Sequence, residues 1–308
     1  MLRVRKILFP TDFSEPSRLA LDQALMWAEV QDAELILLHV VATRPMDFVE
    51  PEARFPDPEE ITARVQELAK SELARLIAPL QDRPLRLRQR VHVAPDADQG
   101  ILDVAHEENV DLIILGTHGR RGAARLLMGS VAAEVLRRSD RAVLVVPSRG
   151  RLRAGRLRRI LAPVDFSEPS KHAVAEARAL AAASGAQLEL FHVLPNFEMP
   201  LPMNPGGFGG ASSIVADLEP AARDALAAMA TEAGPPAKIE TELWQGPAAP
   251  SILNRAEATE ADLIVLASHG YTGLDRLLLG SVTEKVARLA HCPVLVLPPK
   301  LWAIAVAA

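Results

Sequence analysis

The twelve residues KILFPTDFSEPS at Lys6–Ser17 return as RILAPVDFSEPS at Arg159–Ser170, an offset of 153. LLHV at Leu37–Val40 returns as LFHV at Leu190–Val193, and DLIILGTHG at Asp111–Gly119 returns as DLIVLASHG at Asp262–Gly270. RLLMGSVAAEV (Arg125–Val135) matches RLLLGSVTEKV (Arg276–Val286), and VLVVP (Val143–Pro147) matches VLVLP (Val294–Pro298). Segments in one order at nearly constant spacing define a tandem duplication. The expected layout is a first domain at 1–147, an Arg-rich linker at 148–158, a second domain at 159–299 and an apolar tail at 300–308. A chain of 308 residues lets each copy bury its own core.

Within a copy, short apolar runs alternate with helical patterns. In the first, a strand at Ile7–Phe9 leads through Asp12-Phe13-Ser14 into a helix that starts near Pro16, with Ser14 as its N-cap. Ala20, Ala24, Trp27 and Ala28 share one face of it, as Ala173, Ala177, Leu180 and Ala181 do in the second copy. Then follow a strand at Glu34–Val41, a Pro- and acid-rich loop, a helix near Glu59–Ala78 and a strand at Leu85–Val93. A helix at Gln99–Glu108, a strand at Leu112–Leu115, a Gly-rich loop, a helix from Ser130 and a strand at Ala142–Val146 complete the unit. Continuous β-branched strands separated by helices predict a parallel sheet covered on both faces, an α/β architecture. Five strands wound this way take the order 3-2-1-4-5 or its flavodoxin-like relative, and ligands bind at the carboxyl ends of the two central strands. The fifth strands are apolar edges, a liability unless covered, so the two copies are expected to pair through them as an internal pseudo-dimer.

Composition narrows the classes of function. A net charge of −5 gives no general attraction to nucleic acid, and eight Phe, three Trp and one Tyr are few for a base-stacking platform. Cys292 is the single cysteine, so an intrachain disulfide is impossible, which suits a reducing compartment. The first residues, MLRVRKILFPTD, reach a proline and an aspartate too early for a signal-peptide core, and no apolar run approaches the roughly 20 residues of a membrane span. The expectation is a cytoplasmic protein that engages neither membrane nor nucleic acid. The arginines of Arg149–Arg159 read as a solvated linker, and Pro195–Ser213 as a Pro- and Gly-rich loop.

Two segments should meet at the crevice: the turn holding Asp12, and the loop Gly116-Thr117-His118-Gly119 running on to Gly129-Ser130-Val131. Glycines let the backbone approach a ligand closely and adopt positive φ. A helix that opens at Gly129-Ser130 offers N–H groups and a dipole to a phosphate. His39 and His192, at the ends of buried strands, read as satisfied core histidines; His118 and His269 read as loop-positioning residues. Arg125 and Arg276 recur just before the third glycine, within reach of phosphate or simply exposed.

The spacing Gly-x2-Gly-x9-Gly-Ser after a DFS turn resembles the ATP-binding branch of the universal stress protein family, and the resemblance covers nearly all of both copies. It implies an adenine-nucleotide-α-hydrolase-like, Rossmann-like fold in each domain. It further implies that Pro10, Thr11 and Asp12 hold the adenine and ribose side and that Val40 packs on the base. Gly116, Thr117, His118 and Gly119 would line ribose and phosphates, and Gly129, Ser130 and Val131 would cradle the phosphates. The matching positions of the second copy are Pro163, Val164, Asp165, Val193, Ala267, Ser268, His269, Gly270, Gly280, Ser281, Val282 and Thr283. The implied ligand is ATP, with ADP or AMP as alternatives, and Asp12 near a nucleotide-bound Mg2+. Ala267 departs from the pattern where the first copy has Gly116; its methyl costs about 1–2 kcal/mol if φ is positive and little otherwise. Thr283 adds a hydroxyl where the first copy has Ala132.

Catalysis has less support. Gly-x4-Gly-Lys-Ser/Thr, HExxH, Gly-x-Ser-x-Gly and Cys-x-x-Cys are all absent, and nothing nominates a base for an attacking water. The expected function is a nucleotide-dependent stress-response regulator or sensor that acts on a protein partner and itself forms homo-oligomers. A weak ATPase or phosphotransferase using the same site, and a structural member with empty sites, are the alternatives.

Overall fold

The computed structural model describes residues 3–43, 58–117, 128–148, 157–196, 210–232, 234, 236–270 and 279–299. His118, Gly119, Arg125, Arg276, most of the arginine linker, the core of the Pro- and Gly-rich loop and the apolar tail lie outside these residues.

The first repeat runs β1 (Lys6–Pro10), α1 (Glu15–Gln31), β2 (Glu34–Ala42), α2 (Pro58–Ile77), β3 (Arg86–Ala94), α3 (Ala97–Glu107), β4 (Leu112–Gly116), α4 (Ser130–Arg138) and β5 (Ala142–Val146). The second runs β6 (Arg159–Val164), α5 (Glu168–Ser184), β7 (Gln187–Leu194), α6 (Gly210–Thr231), β8 (Lys238–Gln245), α7 (Ala248–Ala258), β9 (Leu263–Ala267), α8 (Ser281–Leu289) and β10 (Val294–Leu297). Elements expected from periodicity fall within a residue or two of these bounds. Ser14 caps α1 as expected, its hydroxyl accepting the Ser17 N–H, and Ser167 does the same for α5.

Each repeat has the strand order 3-2-1-4-5, and all pairings within a repeat are parallel. The two sheets are not separate, however. They join into one ten-stranded sheet, β3-β2-β1-β4-β5-β10-β9-β6-β7-β8, through antiparallel pairing of β5 with β10. The expected pairing of the fifth strands is thus present. Val143, Leu144 and Val145 lie opposite Val296, Leu295 and Val294, and all six side chains are buried. Pairing removes two apolar edges that would otherwise be open to aggregation.

The apolar core forms two layers, one on each face of the sheet, and each layer runs through both repeats. One contains Ile7, Phe9 and the α1 face of Ala20, Ala24, Trp27 and Ala28, together with Leu144, Leu295 and the matching α5 residues. The other contains Leu8, Ile101 and Val135 with Val143, Val145, Val294 and Val296. α1 and α5 therefore cover one face, and α3, α4, α7 and α8 the other.

A repeated carboxylate ties the strand starts together, and sequence reading assigned it no role. Asp111 Oδ2 accepts the N–H groups of Arg5 and Lys6 at 2.7 and 3.0 Å, and Asp262 Oδ2 accepts those of Arg158 and Arg159 at 2.8 and 3.0 Å. The DLI motif is a strand clamp at the end of the sheet opposite the crevice. Among the described residues no helix is long and apolar enough to cross a membrane.

Candidate functional site

The crevice begins in the strand pairing. β1 pairs with β2 along its full length, Lys6–Glu34 to Pro10–Leu38, and β4 pairs with β5 from Leu112–Ala142 to Gly116–Val146. Between β1 and β4 the pairing stops after Ile7–Leu112 and Leu8–Ile113. The two central strands part toward their carboxyl ends, and β6 and β9 part in the same way after Leu161–Ile264. The helices that follow leave on opposite faces, so each repeat holds an opening at its topological switch point. Because β5 and β10 are antiparallel, the two crevices face opposite ends of the sheet.

One wall is the turn after β1. The Asp12 Oδ1 atom accepts the Ser14 N–H at 3.0 Å and the Ser14 hydroxyl at 2.6 Å; Asp165 Oδ1 accepts those of Ser167 at 3.0 and 2.5 Å. Between the aspartate and the cap sits a phenylalanine with left-handed backbone, Phe13 at φ 65° and Phe166 at φ 61°. A bulky residue there is an outlier that costs on the order of 1–3 kcal/mol, and it persists only where its surroundings hold it.

The repeats differ beneath the turn. In the first, buried Thr11 accepts the Phe13 N–H at 3.0 Å and the Ser17 hydroxyl at 2.8 Å through its own hydroxyl oxygen. Val164 replaces it in the second, where Ser170 turns instead to the Ser167 carbonyl at 3.1 Å. The Thr11 hydroxyl is thus part of the turn. Pro10 and Pro163 end or nearly end their strands, one half-buried and one buried. Val40 and Val193, on the neighbouring strand ends, are half-buried against the α3 and α7 faces of their repeats.

The facing wall is the loop after the fourth strand. Thr117 N–H donates to Val146 O at 2.9 Å and Thr117 O accepts the Gly129 N–H at 2.7 Å; Ser268 bridges Leu297 O and Gly280 N–H at 2.9 and 2.8 Å. Each strand end is thereby pinned to the start of the next helix. The backbone decides here between the two readings of Ala267. Gly116 and Ala267 are both the last residues of their strands, and neither has positive φ. The methyl of Ala267 therefore carries no backbone strain. Gly129 and Gly280 also have negative φ, −58° and −60°. What Gly280 provides is closeness, since a Cβ there would stand 3.2 Å from Ser268 O.

Ser130 and Ser281 are the first residues of α4 and α8, exposed, following glycine caps that supply no side-chain bond. The first N–H groups of each helix have no acceptor within the helix. Val131 and Val282 follow, half-buried against the core. The Thr283 hydroxyl, expected as an additional ligand group, points inward: it is buried and donates to Ala267 O at 2.8 Å. A β-branched residue in the first turn of α8 lies against the end of β9, and its hydroxyl bonds the carbonyl there. Ser268 is buried, with its hydroxyl 2.8 Å from His269 Nδ1.

The two walls meet in the second repeat. A Cβ added to Gly270 would lie 2.3 Å from Asp165 Oδ2, so the carboxylate of the first turn overhangs the glycine of the second loop. A carboxylate only accepts hydrogen bonds. Facing a glycine loop, it suits a hydroxyl or amino group of a ligand, while helix N–H groups suit an anion.

A doubly wound α/β tandem with one switch-point crevice per repeat is the class of protein that fold and site define. The chain belongs to the universal stress protein family, whose model matches residues 3–147 and again 156–298. Universal stress protein MJ0577 of Methanocaldococcus jannaschii is 30% identical over 155 residues, covering 46% of this chain and 94% of that protein. A solved universal stress protein of Archaeoglobus fulgidus has the same fold, with a TM-score of 0.64 at 21% identity, covering 96% of this chain and 97% of its own. A universal stress protein solved in complex with cAMP is 28% identical and covers 47% of this chain and 98% of its own, with a TM-score of 0.31.

Proposed function

We propose that each repeat binds an adenine nucleotide, ATP first and ADP or AMP as alternatives, and that occupancy alters the crevice walls and so the affinity for a protein partner. The chain is then a nucleotide-dependent regulator of the stress response in the cytoplasm rather than a catalyst. Whole chains would self-associate through surfaces other than β5 and β10, which already pair with each other.

The observation that carries this reading is the convergence of the Asp165 carboxylate, Gly270 and the α8 N-terminus beside the parted ends of β6 and β9. In the assignment that follows, Asp12 and Asp165 accept from the ribose or base, with Pro10, Thr11, Pro163 and Val164 behind them. Val40 and Val193 pack on the base. Gly116, Thr117, His118 and Gly119, and Ala267, Ser268, His269 and Gly270, line the ribose and phosphates. Gly129, Ser130 and Val131, and Gly280, Ser281 and Val282, cradle the phosphates; Thr283 holds the loop from beneath. The negative φ at Ala267 supports treating the second crevice as equal to the first.

Among the described residues no group of three His, Cys, Asp or Glu could hold a metal ion. A Mg2+ carried on the nucleotide phosphates would meet Asp12 or Asp165 as its carboxylate. Calorimetry with ATP and GTP tests the proposal. Micromolar ATP binding, about −8 kcal/mol, is expected, with GTP weaker. Asp12→Ala and Asp165→Ala should each halve the stoichiometry. Absence of ATP binding, or binding indifferent to both substitutions, would overturn it.

A further inference from the structure

The strained phenylalanines face a histidine in both repeats, and that histidine also grips the residue before the aspartate. His39 Nδ1 lies 2.8 Å from Thr11 O, and the Phe13 ring stacks on the same imidazole with centroids 4.6 Å apart and planes 27° apart. His192 Nδ1 lies 2.6 Å from Val164 O, and Phe166 packs on it at 4.5 Å and 45°. A carbonyl can only accept, so Nδ1 carries the proton in each case and the tautomer is fixed. Each imidazole thus holds two sites of one turn, the carbonyl of the residue before the aspartate and the ring of the residue after it.

We propose that His39 and His192 are positioning residues for nucleotide binding. Each latches the strained turn so that Asp12 or Asp165 presents its carboxylate to the crevice. The proposal rests on nucleotide binding at the crevice. What marks these histidines is that each touches the turn twice, through its Nδ1 atom and through its ring face. The latch also explains why the left-handed phenylalanine persists: Phe13 and Phe166 are held by ring contact on one side and by the fixed carbonyl on the other. In the second repeat the consequence is visible, since Asp165 Oδ2 reaches over Gly270. The turn of that repeat lacks the threonine hydroxyl that receives the Phe13 N–H, so it depends more heavily on its histidine.

Paired substitutions separate latch from packing. His39→Leu keeps an apolar body and removes the donor; His39→Asn removes the ring and keeps an amide N–H where Nδ1 stood. His192→Leu and His192→Asn do the same in the second repeat. Each pair is made in full-length protein with the other crevice silenced by Asp165→Ala or Asp12→Ala. ATP affinity is measured by calorimetry, alongside thermal unfolding and hydrogen exchange of the Phe13, Ser14, Phe166 and Ser167 amides. The leucine variants should weaken ATP about tenfold or more, the equivalent of one lost hydrogen bond, and the effect should be larger for His192. The asparagine variants should recover most of that loss. The same turn amides should exchange faster in the leucine variants and slow again in the asparagine variants. Leucine and asparagine variants with equal affinity and equal exchange would overturn the latch, as would losses of affinity that simply track the melting temperature. If the wild-type protein binds no adenine nucleotide, the nucleotide reading fails, and the amide exchange alone then decides whether the histidines fix the turn.

Discussion

Leu144 lies opposite Leu295 at the centre of the joint between the repeats. These are equivalent residues of the two copies, and Val143–Val296 mirrors Val145–Val294 about them. The repeats therefore meet as two subunits of a two-fold dimer would, with the same strand in the same register on each side.

Such symmetry predicts what the first repeat does alone. A fragment of residues 1–148 exposes β5, and a second copy of β5 can replace β10 without a change of register. Light scattering after size exclusion should give twice the fragment mass, while a monodisperse monomer would contradict the symmetric joint. Leu144→Lys in the fragment should abolish the dimer, because it puts an unpaired charge into a fully buried position.

Gly270→Ala probes the meeting of the crevice walls. The new Cβ would stand 2.3 Å from Asp165 Oδ2, the end of a side chain, so the carboxylate must swing aside while the backbone stays. Nucleotide affinity of the second crevice should fall about tenfold, some 1.4 kcal/mol, with little change in melting temperature. Unchanged affinity would place the Asp165 carboxylate outside the binding surface.

Much of this was legible in the sequence, for identifiable reasons. The duplication, the β-branched strands and the small-residue face of α1 are periodic signals set by burial, and Ala20, Ala24, Trp27 and Ala28 are all buried. The pairing of β5 with β10 followed from the cost of leaving an apolar edge unpaired. Local backbone conformation was less legible. A glycine can mark positive φ or close approach, and sequence does not separate them: Gly116 and Ala267 simply end strands, while in the turns after β1 and β6 the left-handed residues are Phe13 and Phe166. The direction of a hydroxyl was equally hidden, since Thr283 could face a ligand or the carbonyl beneath it. Asp111 and Asp262 open the repeated DLI segments, yet their clamp on the strand starts joins residues far apart in the chain and shows only in three dimensions.

Cys292 should be inert in the native protein. It is buried, and burial first, with the nearby Asp262 charge second, pushes its thiol up to about 12. The thiolate is the reactive form. At pH 8 a thiol reagent should label it only after denaturation, and rapid labelling of the folded protein would contradict the packing around β10.

Glu108 gives the first repeat an acid-sensitive contact. Hydrogen bonds from Arg88, at 3.0 and 2.6 Å, and from Arg90 hold its carboxyl down at about 2, below the ordinary 4.5. A carboxyl held low in the folded state stabilises fully above its unfolded value and loses that contribution as pH falls from about 4.5 toward 2. Glu108→Gln should cost about 1 kcal/mol at neutral pH and flatten the loss of stability below pH 4.5. A variant with the wild-type acid profile would show that the cluster contributes nothing.

The nucleotide content of the purified protein tests the central claim most directly. Full-length protein is purified without added nucleotide, denatured by heat, and the supernatant is separated by chromatography; protein depleted of ligand is then reloaded with ATP and the measurement repeated. The account predicts an adenine nucleotide approaching one per crevice after reloading, reduced to half of that in Asp12→Ala and likewise to half in Asp165→Ala. Protein that releases no adenine nucleotide even after reloading, or whose bound nucleotide is unaffected by both substitutions, would contradict it.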